Sequence, residues 1–302
     1  MTDKHLGMNR RDFIKGVSVL GLAAGTLGMR NIALAADSKT FTFGRVRETK
    51  HLDPHTSQLS SSWHIQHMVY DSLVTLDDNF EVQPSIATEW EWQDNNLVFT
   101  IREGVKYSNG RAMTMDDVVG SINRALSSKG NPWGLLLRNK DSVSADGNKL
   151  TIAFKSPNNV ALTALTATLV CIVPMEEAVE GGTWDPKSDM FWGTGPYSVE
   201  KHIANDRWIL KANEHYWGGK PKADKVVVRT IPQMQSLVAA LRDGSIDACS
   251  FDGHPDAPDL LAGVPNVEVS KLETTDFYYL GMNTLAEDSP FKDKRVRQAV
   301  AR

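Results

Sequence analysis

The chain has 302 residues with 33 Lys and Arg against 37 Asp and Glu, a net charge of −4, and this acidic balance argues against a nucleic-acid-binding protein. Hydrophobic residues make up 41% and charged residues 23%, which is typical of a soluble globular protein and excludes a disordered low-complexity chain. The length suffices for about two domains, and two cysteines 78 positions apart exclude a disulfide-dense mini-protein and a CxxC zinc site.

The first 35 residues have the features of an export signal. Arg10 and Arg11 precede a weakly apolar run at 17–27, and Ala33-Leu34-Ala35 has the A-x-A pattern of a cleavage site. The apolar run is too short to span a membrane, and its glycines disfavour the alternative of an amphipathic N-terminal helix. The segment N-R-R-D-F-I-K resembles the twin-arginine motif, with Asn9 in place of the usual Ser or Thr. Cleavage would leave 267 residues with a net charge of −7 and no cysteine for a lipid anchor, so we expect a soluble periplasmic protein.

A strand, a helix and a short strand are predicted before residue 80. Residues 40–45 alternate apolar and polar side chains and predict a strand. A loop containing Leu52-Asp53-Pro54-His55 follows, and one of the serines at 60–62 would cap a helix. The apolar face of that helix comprises Ile65, Met68 and Val69. Residues 73–76 predict the short strand.

Three β-hairpins are predicted farther along, at residues 90–101, 143–154 and 197–210, each from two alternating segments around a polar turn. Thr114 would cap a helix, and residues 233–242 form another that ends before Gly244. The buried stripe of the first of these helices comprises Val118, Ile122, Ala125 and Leu126. Further strands are predicted at 246–248, 267–269 and 277–282, and a last helix begins at Asp293. Because strands and helices mix without a strict βαβ rhythm, we predict a mixed α/β (α+β) fold.

No common catalytic motif matches the chain. It lacks a P-loop, an H-E-x-x-H zinc motif and a G-x-S-x-G nucleophile elbow, and residues 193–198 depart from the dinucleotide-binding fingerprint. Asp116 and Asp117 are adjacent, so on a helix they diverge by about 100°. We interpret both as solvated first-turn residues that suit the helix dipole, and we expect no catalytic residue.

The histidines leave a metal site as an alternative. Four of the eight fall at 51–67, and His64 and His67 could face the same way on a helix. A polar helix face is the favoured interpretation, because no nearby carboxylate or cysteine completes a ligand set. We therefore expect neither a metal nor a cofactor.

Two further features have more than one interpretation. Cys171 and Cys249 are interpreted as buried thiols, although the periplasm would also permit a disulfide between them. Trp133 lies in a predicted loop, where an aromatic side chain is either a ligand platform or a packing anchor.

Residues 87–110, A-T-E-W-E-W-Q-D-N-N-L-V-F-T-I-R-E-G-V-K-Y-S-N-G, resemble the signature of the family 5 solute-binding proteins. Members of this family are the extracytoplasmic receptors of peptide, nickel and related ABC importers. Other segments resemble further motifs of the family, in the same order along the chain. These segments are Leu52-Asp53-Pro54, Thr114–Val118, Gly193-Thr194-Gly195-Pro196-Tyr197, Tyr216-Trp217 with Pro221, Gly244-Ser245-Ile246-Asp247, and Met282-Asn283 with Pro290-Phe291 and Arg295–Ala299.

The resemblance implies a two-lobed periplasmic-binding-protein fold of the peptide-binding type, whose lobes close over a buried ligand. Residues 1–35 would be the signal peptide. Residues 36–275 would form a complete first lobe, with a core part at 36–80 and 190–275 and an inserted subdomain at about 81–189. Residues 276–302 would form the crossover and the start of a truncated second lobe.

The resemblance also implies where a ligand would lie. The segment after the Leu-Asp-Pro loop, the loop aromatic of the inserted subdomain, the segment after G-x-I-D and the crossover strand would face it. The expected ligand-binding residues are Ser57, Gln58, Leu59, Trp133, Ser250, Phe251, Asp252, Tyr279, Gly281 and Asn283. The second lobe would supply the facing wall, including the acidic partner of a peptide amino terminus.

These observations point to a monomeric, non-enzymatic receptor that captures short peptides and delivers them to ABC permease subunits by hinge closure. The twin-arginine translocase would be its partner during export, and no nucleic-acid partner is expected. One alternative is the same receptor fold for a nickel chelate, haem or an oligosaccharide stacked on Trp133. A periplasmic hydrolase is the less favoured alternative.

The export signal yields a direct test in the full-length precursor. Replacing Arg10 and Arg11 by lysine should block translocation, because two ammonium groups do not reproduce the planar guanidinium pair that the translocase reads. Immunoblots of periplasmic and cytoplasmic fractions measure the outcome, and Lys4→Gln, which removes a charge outside the motif, should leave export unchanged. Wild-type periplasmic levels of the double-lysine variant would contradict the assigned route.

Overall fold

A computed structural model describes residues 39–49, 52–57, 59–127, 131, 133–175, 192–251, 257–270 and 280–301. The described residues up to Val267 belong to one compact unit, and those from Glu268 onwards belong to a second. The export signal at Arg10, Arg11 and Ala35 lies outside the described residues. None of the described helices is long and apolar enough to cross a membrane.

The described strands and helices are as follows in chain order. The strands are β1 (Thr40–Arg45), β2 (Val74–Leu76), β3 (Val82–Pro84), β4 (Ala87–Gln93), β5 (Asn96–Ile101), β6 (Lys140–Asp146), β7 (Lys149–Phe154), β8 (Tyr197–Ile203), β9 (Arg207–Ala212), β10 (Lys225–Thr230) and β11 (Ala248–Cys249). The helices are α1 (Ser60–Val69), α2 (Met115–Ser127), α3 (Trp133–Leu136), α4 (Ala161–Ala164), α5 (Met234–Arg242), α6 (Ala257–Leu261) and α7 (Lys294–Val300). Short 3₁₀ turns occur at Thr168–Val170 and Pro290–Lys292. The mixed α/β class and the three hairpins are thus confirmed.

The first unit contains a mixed five-stranded sheet, and helix α1 packs against it. Its strand order is β11-β1-β10-β9-β8, with β1 parallel to both β10 and β11 and with antiparallel pairing from β10 to β8. The alternation in β9 and β10 buries Trp208 and Val228 against Ile65 and Val69 of α1. Burying each such side chain stabilises the fold by roughly 1.5–3 kcal/mol.

The segment between β1 and β8 builds a second, antiparallel sheet with its own core. Its strand order is β4-β5-β7-β6, and alternate residues such as Phe99 and Ile152 are fully buried. Val118 and Ile122 of α2 pack into the same core, because they lie four positions apart on one helix face. Three of the four stripe residues predicted for α2 are buried, and the fourth, Leu126, is half-buried.

The start of α2 is a reciprocal cap, in which Thr114 is the capping residue that the sequence predicts. The Thr114 hydroxyl accepts from the Asp117 amide at 3.2 Å, and an Asp117 carboxylate oxygen accepts from the Thr114 amide at 2.9 Å. The interpretation of Asp117 as a solvated residue is wrong, because its carboxylate is buried. It accepts from both terminal nitrogens of Arg111 at 3.0–3.1 Å and from the Met175 amide at 2.9 Å. Burial opposes ionisation here, but these donors hold the pKa of Asp117 below its ordinary value.

Two local predictions differ from the structure. No serine caps α1: its N-cap is Leu59, which makes no side-chain capping bond, and Ser61 and Ser62 are buried. The Thr49 hydroxyl donates to the Ser61 carbonyl at 2.6 Å, so tertiary contacts hold this end of the helix. Residues 267–269 do not form a strand, because no described strand pairs with them, and the described part of 277–282 has no strand either.

The Gly193-Thr194-Gly195 segment shows why its glycines are needed. The chain returns to β8 directly against the end of α1, and the Gly195 amide donates to the Val69 carbonyl at 2.9 Å. A Cβ atom on Gly193 would lie 1.8 Å from the Val69 carbonyl oxygen, and one on Gly195 would lie 2.7 Å from the Val69 carbonyl carbon. Only glycine permits this close approach of two backbone segments.

Gly193→Ala should therefore lower the free energy of unfolding by about 3 kcal/mol or more, because backbone atoms must move to admit the methyl group. The control is Gly147→Ala in the β6–β7 turn, where φ is +56° and no atom lies within 4 Å of the added methyl. That change should cost only about 1 kcal/mol, from the left-handed backbone. Chemical denaturation followed by tryptophan fluorescence compares the two, and equal losses would contradict the steric argument.

Candidate ligand-binding site

Two of the segments expected to contact ligand begin at the same edge of the mixed sheet. β1 and β11 are parallel, with Gly44 opposite Cys249, so both strands end at one edge. The Ser250 amide continues this pairing and donates to the Gly44 carbonyl at 3.3 Å. Ligands of open α/β sheets bind outside the carboxyl ends of parallel strands, and the segments that follow β1 and β11 both leave from this edge.

The loop that precedes α1 is held by hydrogen bonds from several directions. The Ser57 amide donates to the Asp53 carbonyl at 3.1 Å, and the side-chain amide of Gln66 donates to the same oxygen at 3.2 Å. The indole nitrogen of Trp63 donates to the Ser57 carbonyl at 3.2 Å. This network gives the loop a defined conformation, and a preorganised loop loses less entropy when it takes part in binding.

The expected contacts of this edge differ in exposure. Ser57 is 1% exposed, whereas the Leu59 side chain is 48% exposed. Ser250 is half-buried, and Phe251 is half-buried against the small core of α5 and the segment before β11. Gln58 and Asp252 lie outside the described residues. The accessible apolar surface of this loop is therefore at Leu59.

Trp133 lies in a helix rather than in a loop. It is the first residue of the four-residue helix α3, and its amide donates to the Asn131 side chain at 3.0 Å. The indole is half-buried against the core of the antiparallel sheet. The loop prediction is wrong because the Asn131 side chain, which bonds the Trp133 amide, also bonds the carbonyls of Ala125 and Leu169 and so ties the first residue of α3 to α2 and to the 3₁₀ turn.

The expected contacts in the crossover lie in the second compact unit. Gly281 and Asn283 are exposed. The Asn283 side-chain oxygen accepts from the amides of Leu285 and Ala286 at 3.0 and 3.1 Å, so this side chain organises its own turn. Tyr279 lies outside the described residues.

A buried ion pair ties the loop before α1 to helix α2. The Arg124 guanidinium donates to both Asp53 carboxylate oxygens at 2.8 and 2.9 Å. Burial opposes ionisation of Asp53, but Arg124 outweighs it and holds the pKa of Asp53 below its ordinary value. His55 completes the cluster: it is fully buried, with one ring nitrogen 2.8 Å from Arg124 and the other 2.8 Å from the Cys171 carbonyl oxygen.

The sequence pattern missed this cluster because Asp53, Arg124 and Cys171 are far apart in the chain. His55 is one of the four histidines noted at 51–67, but the pair considered for a metal was His64 and His67. Both are half-buried, and the rings of His64 and Phe43 meet edge to face with their centroids 6.1 Å apart. The described residues contain no group of three or more metal-ligating side chains. Cys171 and Cys249 are not joined in a disulfide in the structure; the first is buried and the second half-buried.

A second polar contact joins the mixed sheet to the antiparallel part. The indole nitrogen of Trp217 donates to the Asp71 carboxylate at 2.8 Å, and the Arg102 guanidinium lies 4.2 Å above the Trp217 ring. Burial raises the pKa of Asp71 to about 6, despite the opposing effects of the Trp217 hydrogen bond and of Arg102.

This architecture, a mixed sheet with an antiparallel part inserted between β1 and β8, is consistent with an extracytoplasmic solute-binding protein. The profile of the bacterial extracellular solute-binding proteins, family 5 (middle), matches residues 81–302. The chain therefore belongs to this family.

Individual relatives agree with this assignment. Heme-binding protein A of Haemophilus influenzae is 27% identical over 261 residues, covering 77% of this chain and 46% of the relative. Dipeptide-binding protein DppE of Bacillus subtilis is 23% identical over 300 residues, covering 92% of this chain and 54% of the relative. The crystal structure of MoaA from A. tumefacien R10 with mannopinic acid superposes with a TM-score of 0.79 at 25% identity, covering 87% and 55%. The chain thus spans about half the length of the relatives it matches.

Asp71→Asn should raise the free energy of unfolding at pH 7 by about 1–3 kcal/mol, because the folded state disfavours the charged carboxylate. Because the pKa of Asp71 is raised on folding, its carboxyl group stabilises the folded wild type fully below about pH 3.8. This stabilisation is lost as the pH rises through about 6. Denaturation at several pH values measures it. Asp71→Ala, which removes the acceptor of Trp217, should be less stable than Asp71→Asn, and an asparagine variant less stable than wild type at pH 7 would contradict the argument.

Proposed function

We propose that the full-length protein is the substrate-binding receptor of an ABC importer and that it captures short peptides in the periplasm. Membership of the family over residues 81–302 is the observation that carries this proposal. The match of the chain with DppE, whose name describes a dipeptide-binding protein, favours peptides.

The edge of the mixed sheet suits one wall of such a site. Leu59 offers an exposed apolar contact, and the segment at Ser250 and Phe251 leaves the same edge beside β1. An extended peptide can be held through its backbone groups while its side chains occupy wet, tolerant pockets. Closure of a second lobe would bury the ligand from the other side, and contacts made only in the closed state would favour closure.

A non-peptide solute is the alternative, since one relative is named for haem and one solved neighbour holds mannopinic acid. Export by the twin-arginine translocase, a monomeric state, and delivery to permease subunits are parts of the same proposal. The acidic balance of the chain, with 37 Asp and Glu residues, gives no reason to expect a nucleic-acid partner.

The test uses the full-length protein purified from the periplasm. Mass spectrometry under native and then denaturing conditions identifies any retained ligand, and calorimetry follows with a defined di- and tripeptide mixture, with haemin and with a nickel–histidine complex as separate probes. Binding of the peptides supports the proposal. Binding of haemin or the nickel complex alone replaces it with the alternative, and turnover of any probe would indicate an enzyme.

Trp133 provides a residue-level prediction for this site. Trp133→Ala in the full-length protein should weaken binding of the identified ligand by about 1–3 kcal/mol, the effect of losing a desolvated aromatic contact. It should also lower stability, because the indole is half-buried against a core. Trp92→Ala is the matched control and should leave the affinity unchanged. Trp92 is 41% exposed on edge strand β4, and its ring centroid lies 5.9 Å from that of Phe154. Unchanged affinity in the Trp133 variant would make Trp133 a packing residue only.

A further inference from the structure

The partners of His55 determine its protonation state and tautomer. Its Nε2 lies 2.8 Å from the Cys171 carbonyl oxygen, which can only accept, so Nε2 carries a hydrogen. Its Nδ1 lies 2.8 Å from Nη1 of Arg124, and a guanidinium can only donate, so Nδ1 presents its lone pair. His55 is therefore the neutral Nε2–H tautomer, and both ring nitrogens are fully used.

A second proton has no place in this cluster. Protonation of Nδ1 would turn a hydrogen bond with Arg124 into a contact between two N–H donors and two positive charges. The groups that act on the ring are the Asp53 carboxylate on its own loop, Arg124 on α2 and the Cys171 carbonyl. The buried Tyr70 phenol at the end of α1 interacts with the same Asp53, Arg124 and Cys171. The Asp53 charge favours a protonated ring, but it compensates only in part, because burial and the Arg124 charge have the larger, opposite effect. The Asp53 oxygens accept from Arg124 and from the His55 amide at 3.0 Å.

The same cluster holds the backbone of the loop that leads to Leu59. The Asp53 carboxylate is anchored by Arg124, and the Asp53 carbonyl accepts from the Ser57 amide. The Cys171 carbonyl, which anchors the other side of the ring, belongs to the segment that follows the antiparallel part of the fold. Loss of the His55 contacts would therefore loosen the loop from two elements at once.

We propose that His55 and Arg124 are positioning residues for the loop at residues 52–57, and that uptake of one proton by His55 releases this loop. The link to ligand binding rests on the proposed function, because it requires that this loop contacts the ligand. The release itself is a property of the cluster alone.

The direction and size of the pH dependence follow from proton linkage. Burial and the Arg124 charge lower the pKa of His55 to about 4 in the closed loop, while an exposed histidine has a pKa of about 6.5. The open loop therefore binds the proton more tightly, and the stability of the closed loop is lost as the pH falls from about 6.5 to about 4. Within this range the opening equilibrium increases about tenfold per pH unit.

The test is hydrogen exchange on the full-length protein between pH 4.5 and 7, read at the Ser57 amide. The protection factor, which removes the intrinsic pH dependence of exchange, should fall about tenfold per pH unit below 6.5 in the wild type. In His55→Gln, whose side-chain amide can donate to the Cys171 carbonyl but cannot titrate, it should not change with pH. The Met175 amide donates to Asp117 at the start of the same helix, α2, and no histidine takes part in that contact, so this amide is the internal control and its protection should stay constant in both proteins.

A Ser57 protection factor that is independent of pH in the wild type, or that falls equally in His55→Gln, would overturn the proposal. If His55→Gln does not fold, imidazole nitrogen chemical shifts of the wild type decide: the neutral Nε2–H form should persist at pH 5, and a charged imidazolium there would overturn it. Global denaturation is not used, because Asp71 changes stability in the opposite direction over part of this pH range. Neither readout needs a ligand, so a failure of peptide binding leaves this test unaffected.

Discussion

The bidentate contact between Arg124 and Asp53 is the interaction on which the candidate site depends. It joins helix α2 to the loop after β1, with N–O distances of 2.8 and 2.9 Å and side chains only 15% and 7% exposed. Removing one partner of such a buried pair typically costs about 3–5 kcal/mol, whereas replacing both by apolar groups can be neutral. The main effect of the pair is therefore to hold the loop that leads to Leu59 in a defined position relative to α2, rather than to add net stability.

The junction between the mixed sheet and the antiparallel part combines apolar packing with directional polar contacts. Each part buries its own cluster of apolar side chains. Asp53 with Arg124, Asp71 with Trp217, and the Ser121 hydroxyl with the Val173 amide and carbonyl connect the two parts. Hydrogen bonds have direction, so these contacts specify how the two parts meet. The cluster around His55 adds a proton-sensitive element at this junction, next to the segment expected to face ligand.

Local pattern was sufficient for most of the secondary structure. The alternation at residues 40–45 predicted β1 with the observed bounds, and the turns near Gly147 and Asn205 located the second and third hairpins. The capping role of Thr114 and the apolar stripe of α2 were also evident from spacing. These features depend on neighbours within a few positions, which is the range over which a sequence pattern carries information. The strand expected at 267–269 needed a partner strand, and spacing within one segment does not supply one.

The sequence by itself determined the hairpins, the helix stripes and the family. Only the tertiary structure decided which segments meet at the edge of the mixed sheet, which of their polar side chains are buried and what those side chains bind. Asp53 meets Arg124 across 71 positions, and His55 meets Cys171 across 116. Asp117 on its helix and Trp133 at the start of α3 likewise have surroundings that their own segments do not specify. The physical reason is that burial and charge pairing arise from residues distant in the chain, whereas propensity and periodicity arise from adjacent ones.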